Sequence, residues 1–396
     1  MKNIFLLVAI LHCWLFVNGQ TAELDINAEY KKGVEALNNY QYQKAVDIFF
    51  ECNRSDYSNN DYLQKLAYAY MKLGDYGEAK LSYKSLLKRD SSIAKAWIDL
   101  GGIYEKELNY KKAGECYSNL LDIDSTNSFY FRQNAFIAKK RKNFIAAIAF
   151  FNKAHELNEK DMVVIVELSD LLLRMQQAET ALALVEKGLR HSPKNLKLLY
   201  SKASILNFQK NYEEVITTVQ QTMAMGDTVQ YYQKLIGLAF LKTEQYDSCI
   251  HHLTEIVVKE QASEHTHSQL AQAYSGLGEL DSATVHYELA IDYGISKNVV
   301  NYYRNLAMTL DSQKKLKPAI DAWKKAIELE DEEEPQPIAY FFLAQDCDNY
   351  YKDKNIAIRY YQKYLKSGHQ QYPDYVKKRI SYLKGVMHQQ RKKKKP

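Results

Sequence analysis

Proline and glycine are scarce, at six and fifteen residues among 396. Both are costly inside a helix. Their scarcity favours a chain that is helical throughout, and no serine/glycine stretch marks a linker between domains. Cysteine is sparse as well. Beyond Cys13 only Cys52, Cys116, Cys249 and Cys347 occur, each more than 60 residues from the next. That spacing argues against a compact disulfide framework. Three of the four fall on core-type positions, where a thiol behaves as a small apolar group. After the first twenty residues no run is long and apolar enough to span a bilayer. There is no phosphate-cradling glycine loop, no nucleophile elbow and no metalloprotease helix motif. The acidic run 330–334 has neither the ligand spacing nor the internal glycine of a calcium loop and reads as a solvated junction. The sequence therefore points to no catalytic residue, no cofactor and no metal site.

A broad excess of positive charge is also missing. The formal charge is +5, yet Arg391 and Lys392 to Lys395 supply five cations and Lys2 a sixth. The body is near neutral, which weighs against a nucleic-acid partner. The basic tail reads as a solubilising end, with weak contact to an anionic membrane surface as the alternative.

What is present begins with a leader. Lys2 precedes an apolar run over 4–17, interrupted by His12, and Val17-Asn18-Gly19 suits cleavage before Gln20. Residues 1–19 read as a secretory signal, so the chain is expected to be exported, in the periplasm or attached to the cell envelope. An uncleaved anchor is the alternative.

Apolar residues make up 46% of the chain and tyrosine occurs 32 times. A fixed period of 34 residues organises both. Let each repeat be numbered from 1 at Ile26, Asn60, Ala94, Ser128, Met162, Leu196, Gln230 and Glu264. Position 8 is then Gly33, Ala67, Gly101, Ala135, Ser169, Ala203, Gly237 and Ala271. Position 20 is Ala45, Ala79, Ala113, Ala147, Ala181, Val215, Cys249 and Ala283. Two small-residue columns at one period mark the close crossing of paired antiparallel helices. Insertions shift the phase to Val300 and then Pro337, giving about ten repeats. Position 24 carries large residues such as Phe49, Tyr83, Tyr117 and Trp323, which accounts for much of the tyrosine as packing.

Trp97, Leu100, Gly101, Tyr104, Ala113, Tyr117 and Leu120 stand in the pattern of the tetratricopeptide repeat, and Leu63, Leu66, Ala67, Tyr70, Gly74, Ala79 and Tyr83 precede them in the same one. The chain resembles that family over 26–366. The resemblance implies an all-α, right-handed superhelical solenoid of about ten antiparallel hairpins. Residues 373–388 read as a C-terminal capping helix, with Tyr375, Ile380 and Leu383 toward the core, and 389–396 as a disordered basic tail.

In the family this chain resembles, the first helix of each hairpin lines a concave groove, and positions 2, 5, 9, 12 and 13 meet a protein or peptide ligand. Carried over, position 13 gives Lys72, Lys106, Lys140, Arg174 and Lys242. Repeat four adds Phe129, Arg132, Phe136 and Lys139, and later repeats add Lys197, Tyr200, Tyr231 and Lys234. This suggests a groove for an acidic segment with Phe129 and Phe136 as anchors. The plain alternative is solvated lysines near helix C-termini, where the dipole favours them. A carboxylate clamp of the kind used for chaperone tails is not expected, since Tyr30, Val34 and Lys65 occupy its positions. His251, His252, His265 and His267 cluster in sequence but read as surface and core residues. Two further functions stay open: a structural subunit using the convex face or caps, and a glycan binder using the aromatic residues. Oligomeric state is left open.

Overall fold

A computed structural model describes residues 25–226, 229–259, 262–294, 297–330 and 337–393. The expected signal at 1–19, residues 331–334 of the acidic run and the last three residues lie outside them. Among the described residues the secondary structure is 21 α-helices and no strands.

Hairpins one to five are α1 (Ile26–Asn38) with α2 (Tyr42–Ser55), α3 (Asn60–Leu73) with α4 (Tyr76–Arg89), α5 (Ala94–Lys106) with α6 (Tyr110–Ile123), α7 (Ser128–Lys140) with α8 (Phe144–Leu157), and α9 (Met162–Arg174) with α10 (Ala178–His191). They form one compact unit. A second unit, beginning at Ser192, holds α11 (Leu196–Phe208) with α12 (Tyr212–Ala224), α13 (Gln230–Lys242) with α14 (Tyr246–Val258), α15 (Glu264–Leu277) with α16 (Leu280–Asp292), α17 (Val299–Ser312) with α18 (Leu316–Glu328), and α19 (Ile338–Tyr350) with α20 (Asn355–Lys366). The helix α21 (Pro373–Lys393) ends it. In each unit a helix packs on its neighbours in sequence, as a solenoid requires.

Side-chain caps fix many helix starts. Asp25, Asn59, Asn127, Asp161 and Asn195 each accept backbone N–H groups at the start of a first helix, satisfying donors that would otherwise be orphaned. The turn follows one rule in nine of the ten hairpins, the exception being the last, where Tyr351 is extended. Position 15 is left-handed in nine hairpins: Tyr40, Leu108, Lys142, Gln176, Lys210, Glu244 and Lys314 at φ 57–61°, and glycine only at Gly74 and Gly278. The next N–H reaches back to the carbonyl of position 11, as from Asn109 to Tyr104 at 2.8 Å and Gln177 to Leu172 at 2.9 Å. This is the Schellman closure of a helix C-terminus.

The small columns sit where the helices cross. Ala45, Ala67, Ala79, Ala113, Ala135, Ala147, Ala181, Ala271 and Ala283 are fully buried. A Cβ on Gly101 would stand 2.7 Å from the Tyr117 ring, one on Gly33 2.8 Å from Phe49, and one on Gly237 2.4 Å from Leu253. Position 8 thus leaves room for the large residue of position 24 in the same hairpin. The four described cysteines are free and buried. Burial pushes the thiols of Cys116 and Cys249 up to about 12.

Three local expectations need correction. The final helix continues to Lys393, past the expected end at 388. Its last residues are good helix formers, and cations suit a helix C-terminus. On its inner side Val376, Ile380 and Leu383 are buried, whereas Tyr375 is 48% exposed. Glu330 is no solvated residue but pairs with Arg304, both side chains nearly buried.

Candidate functional site

First helices of successive hairpins touch directly. Helix α3 meets α5 in the first unit, and α11 meets α13 and α13 meets α15 in the second. First helices thus make the closely spaced inner row of each unit, and the position-13 residues lie at their C-terminal ends. Lys72, Lys106, Lys139, Lys140, Arg174 and Lys242 all fall in the last turn of a first helix.

In the first unit most of these cations already have partners. The Lys72 ammonium stands 5.2 Å from the centre of the Tyr68 ring, and the Tyr68 hydroxyl raises its pKa. Lys95 reaches the same ring at 5.6 Å and pairs with Asp99. Asp99 is 7% exposed and also accepts a 2.9 Å hydrogen bond from Tyr83. Lys106 donates to the Tyr76 hydroxyl at 3.1 Å and lies 5.2 Å from its ring. Arg132 covers Phe129 at 5.2 Å and pairs with Asp161, the residue that caps α9. Lys139 pairs with Glu167 and reaches Asp170 at 3.5 Å, and Arg174 pairs with Asp170 at 3.0 Å. Lys140 is exposed and has no ion-pair partner among the described residues. Phe136 is half-buried, its ring edge-on to Phe151 at 5.4 Å.

The second unit arranges its predicted residues differently. Tyr200 stacks face to face on Tyr232 at 3.7 Å, and Tyr231 meets Tyr232 edge-on at 4.9 Å. Tyr231 is 55% exposed. Lys197 and Lys242 are exposed and Lys234 is half-buried. One face of Tyr200 is therefore taken by protein, Phe129 lies under Arg132 and Phe136 packs on Phe151. Phe129, Phe136, Tyr200 and Tyr231, the rings that a glycan binder would use, do not make one open platform in either unit.

The alternating signs along the inner row were not read from sequence. Tyr68, Asp161, Glu167 and Tyr232 were missed: Asp161 and Glu167 lie 29 and 28 residues from their bases, Tyr232 meets Tyr200 of the preceding repeat, and Tyr68 meets Lys72 of its own helix and Lys95 of the next hairpin. A column taken at one position cannot show a pairing between different positions of neighbouring repeats. The signal that could have found the two acids is an acid placed 28–31 residues after a base.

The histidines divide between surface and core: His251 and His265 are exposed, His252 is half-buried and His267 is buried. His252 lies 3.1 Å from the Gln233 side-chain oxygen and stacks on Phe240. His265 meets the Tyr302 hydroxyl at 2.8 Å. The Nδ1 atoms of His267 and His286 are 3.1 Å apart, with Tyr293 stacked on the first ring and Tyr274 on the second. Burial lowers the pKa of both, and the Nδ1–Nδ1 distance fits a hydrogen bond in which one ring donates and the other accepts. Among the described residues no group of three or more His, Cys, Asp or Glu side chains is placed to hold a metal.

Two acids stand apart at the end of the second unit. Asp346 and Asp348 are each 3% exposed. Burial and then the Asp311 charge push the Asp346 carboxyl up to about 7. Asp348 receives Arg379 of α21 at 2.7 Å and has Lys354 at 3.3 Å.

A family model described as tetratricopeptide repeat matches residues 65–128. The chain is 23% identical over 326 residues to a TPR repeat-containing protein of Methanocaldococcus jannaschii, covering 76% of this chain and 54% of that protein. It is 31% identical over 94 residues to tetratricopeptide repeat protein 12 of Mus musculus, covering 24% of this chain and 13% of that protein. The chain thus spans about half of the first relative and a small part of the second. It is also similar to the crystal structure of a tetratricopeptide repeat protein from Parabacteroides merdae, with TM-score 0.46 and 14% identity, covering 63% of this chain and 98% of that one.

Proposed function

We propose that this chain, which belongs to the tetratricopeptide-repeat family, is a non-enzymatic scaffold of the cell envelope that docks an acidic segment of a protein partner on its first-helix row. The observation that carries this reading is the cation row of the first unit, with Lys140 unpaired beside the Lys139–Asp170–Arg174 group. A partner carboxylate can bind Lys140 directly. It can also take Arg174 from Asp170, exchanging one ion pair for another. Exchange of exposed pairs yields little net energy, so docking should be reversible and weakened by salt. The stacked hairpins hold the row in place before binding, which lowers the ordering cost.

The leader at 1–19 supports export, with Gln20 as the mature N-terminus. Fractionation and N-terminal sequencing test that part. A chain recovered only from the cytosol with its leader intact would reject it. The docking reading is tested with a photo-crosslinker at position 136 in cells. Capture should be lost on combined Lys140→Glu and Arg174→Glu substitution. Capture that survives charge reversal would move the interface to the second helices or the ends.

A further inference from the structure

The second-helix side of hairpins three and four holds a depression of about 480 Å3, open to solvent on one side. Two departures from the repeat create it. At position 21 most hairpins carry a bulky aliphatic residue, among them Val46, Ile148, Leu182, Ile216, Ile250 and Ile320. Repeat three carries Gly114, where an added Cβ would lie 3.2 Å from the Ile137 side chain. At position 7 the usual residue is leucine, buried at Leu66, Leu100, Leu168 and Leu270. Repeat four carries Asn134, which is 4% exposed. Its amide nitrogen donates to the carbonyls of Tyr117 at 2.8 Å and Tyr130 at 3.0 Å. Those two bonds fix the amide, so Oδ1 is left with one long contact from the Ser118 hydroxyl at 3.4 Å. A buried acceptor with capacity to spare lies in the wall of the depression.

The remaining walls are divided by chemistry. Ile137, Ala146 and Phe150 give an apolar floor. Lys111 and Arg141 stand at the rim, and neither has an ion-pair partner among the described residues. Glu115 lines the same depression. Removing an aliphatic side chain and burying an amide both cost stability.

We propose that this depression is a second partner site, which takes an extended polypeptide segment carrying one acidic side chain beside one large apolar side chain. The apolar group lies over Gly114 against Ile137 and Phe150. The carboxylate meets Arg141 and Lys111, with Arg141 able to hold it in two parallel bonds. A backbone N–H of the segment donates to Asn134 Oδ1. Glu115 turns away a segment with acids on both sides. The site is separate from the first-helix row and stands whether or not that row binds anything.

The test is methyl NMR of the full chain labelled at isoleucine, with N-acetyl-Glu-Phe-amide as the probe. The Ile137 methyl is expected to shift saturably. The Gln-Phe analogue should bind at least tenfold more weakly, because a charge-assisted hydrogen bond is worth a factor of ten or more. Arg141→Ala, at an exposed position, should weaken the Glu-Phe probe by a similar factor. Gly114→Ile restores the residue type of the column and should abolish the shift, while the buried Ile165 methyl reports an intact fold. Lys140→Glu should leave the titration unchanged. The proposal is overturned if Ile137 does not move, if the Gln-Phe probe or acetate alone reproduces the titration, or if Arg141→Ala has no effect. Loss of binding in Lys140→Glu would also overturn it, by assigning the probe to the first-helix row.

Discussion

Leu108 occupies left-handed backbone at φ 57°, with its side chain 70% exposed. Left-handed geometry costs a non-glycine residue about 1–2 kcal/mol, and an exposed leucine recovers little of it. Glycine would relieve that strain, less its own entropic cost of about 0.5–1 kcal/mol. Leu108→Gly is therefore expected to be neutral or stabilising by up to about 1 kcal/mol, and Leu108→Val to destabilise by about 1–2 kcal/mol. Urea unfolding of the two variants reads both values. A larger stability for the valine form would contradict the turn geometry. Asp346 gives a pH dependence at the same scale. Burial, then the Asp311 charge, raises its carboxyl to about 7, whereas an unfolded aspartate ionises near 3.9. Between roughly pH 4 and 7 the folded chain keeps a proton that the unfolded chain has released. Stability falls as pH rises through that window and levels off above it. Asp346→Asn removes the charge that must be buried. The variant is expected to exceed the wild type by about 1–3 kcal/mol at pH 8, with the difference gone near pH 4. Equal stability curves for the two proteins would refute a buried, proton-holding carboxyl.

At the scale of the helix, α21 is held by burial of Val376 and Leu383 and by Arg379 on Asp348. Breaking a fully buried pair costs about 3–5 kcal/mol. Here Arg379 is 35% exposed and Lys354 remains beside the carboxylate, so Arg379→Gln should cost about 2 kcal/mol. Hydrogen exchange should then quicken in α21 and leave α7 unchanged. Uniform exchange across both helices would remove Arg379 from that role. The helices themselves were legible in sequence because their determinants are periodic. Small residues, mostly alanine or glycine, recur at positions 8 and 20 where two helices cross, and Asp25, Asn59, Asn127 and Asp161 announce first-helix starts. The turn was not legible, since seven of its nine left-handed residues are not glycine. Tyr375 was misplaced by one residue because tyrosine and Val376 compete for the inner face, and the smaller, wholly apolar side chain fills it. Only part of the candidate site could be read. Lys140 and Arg174 fall on a column, whereas Asp161 and Glu167 meet their bases across a hairpin boundary.

For the whole molecule, what matters is that helices in substantial contact are neighbours in sequence or one helix removed, within each unit. Stability is then close to a sum of hairpin terms and nearest-neighbour terms. Deleting residues 94–127 removes one period and joins Ile93 to Ser128 in phase. The shortened chain should keep its helical signal per residue and melt cooperatively, within about 10 °C of the parent. Deleting 94–109 instead removes a first helix and its turn, leaves α6 without its partner and should lose much of the signal. Circular dichroism distinguishes the two, and equal loss in both would show that the hairpins are not interchangeable modules.

The same nearest-neighbour packing governs how the chain is assembled in time. A hairpin needs only the one before it to find its place, so a solenoid can be laid down in the order in which the polypeptide emerges from a ribosome or a narrow pore. No strand has to wait for a distant mate, and no early segment has to stay open until a late one arrives. The Schellman turns, each sealed by a bond spanning five residues, let nine of the ten hairpins close as soon as their own second helix has cleared the exit.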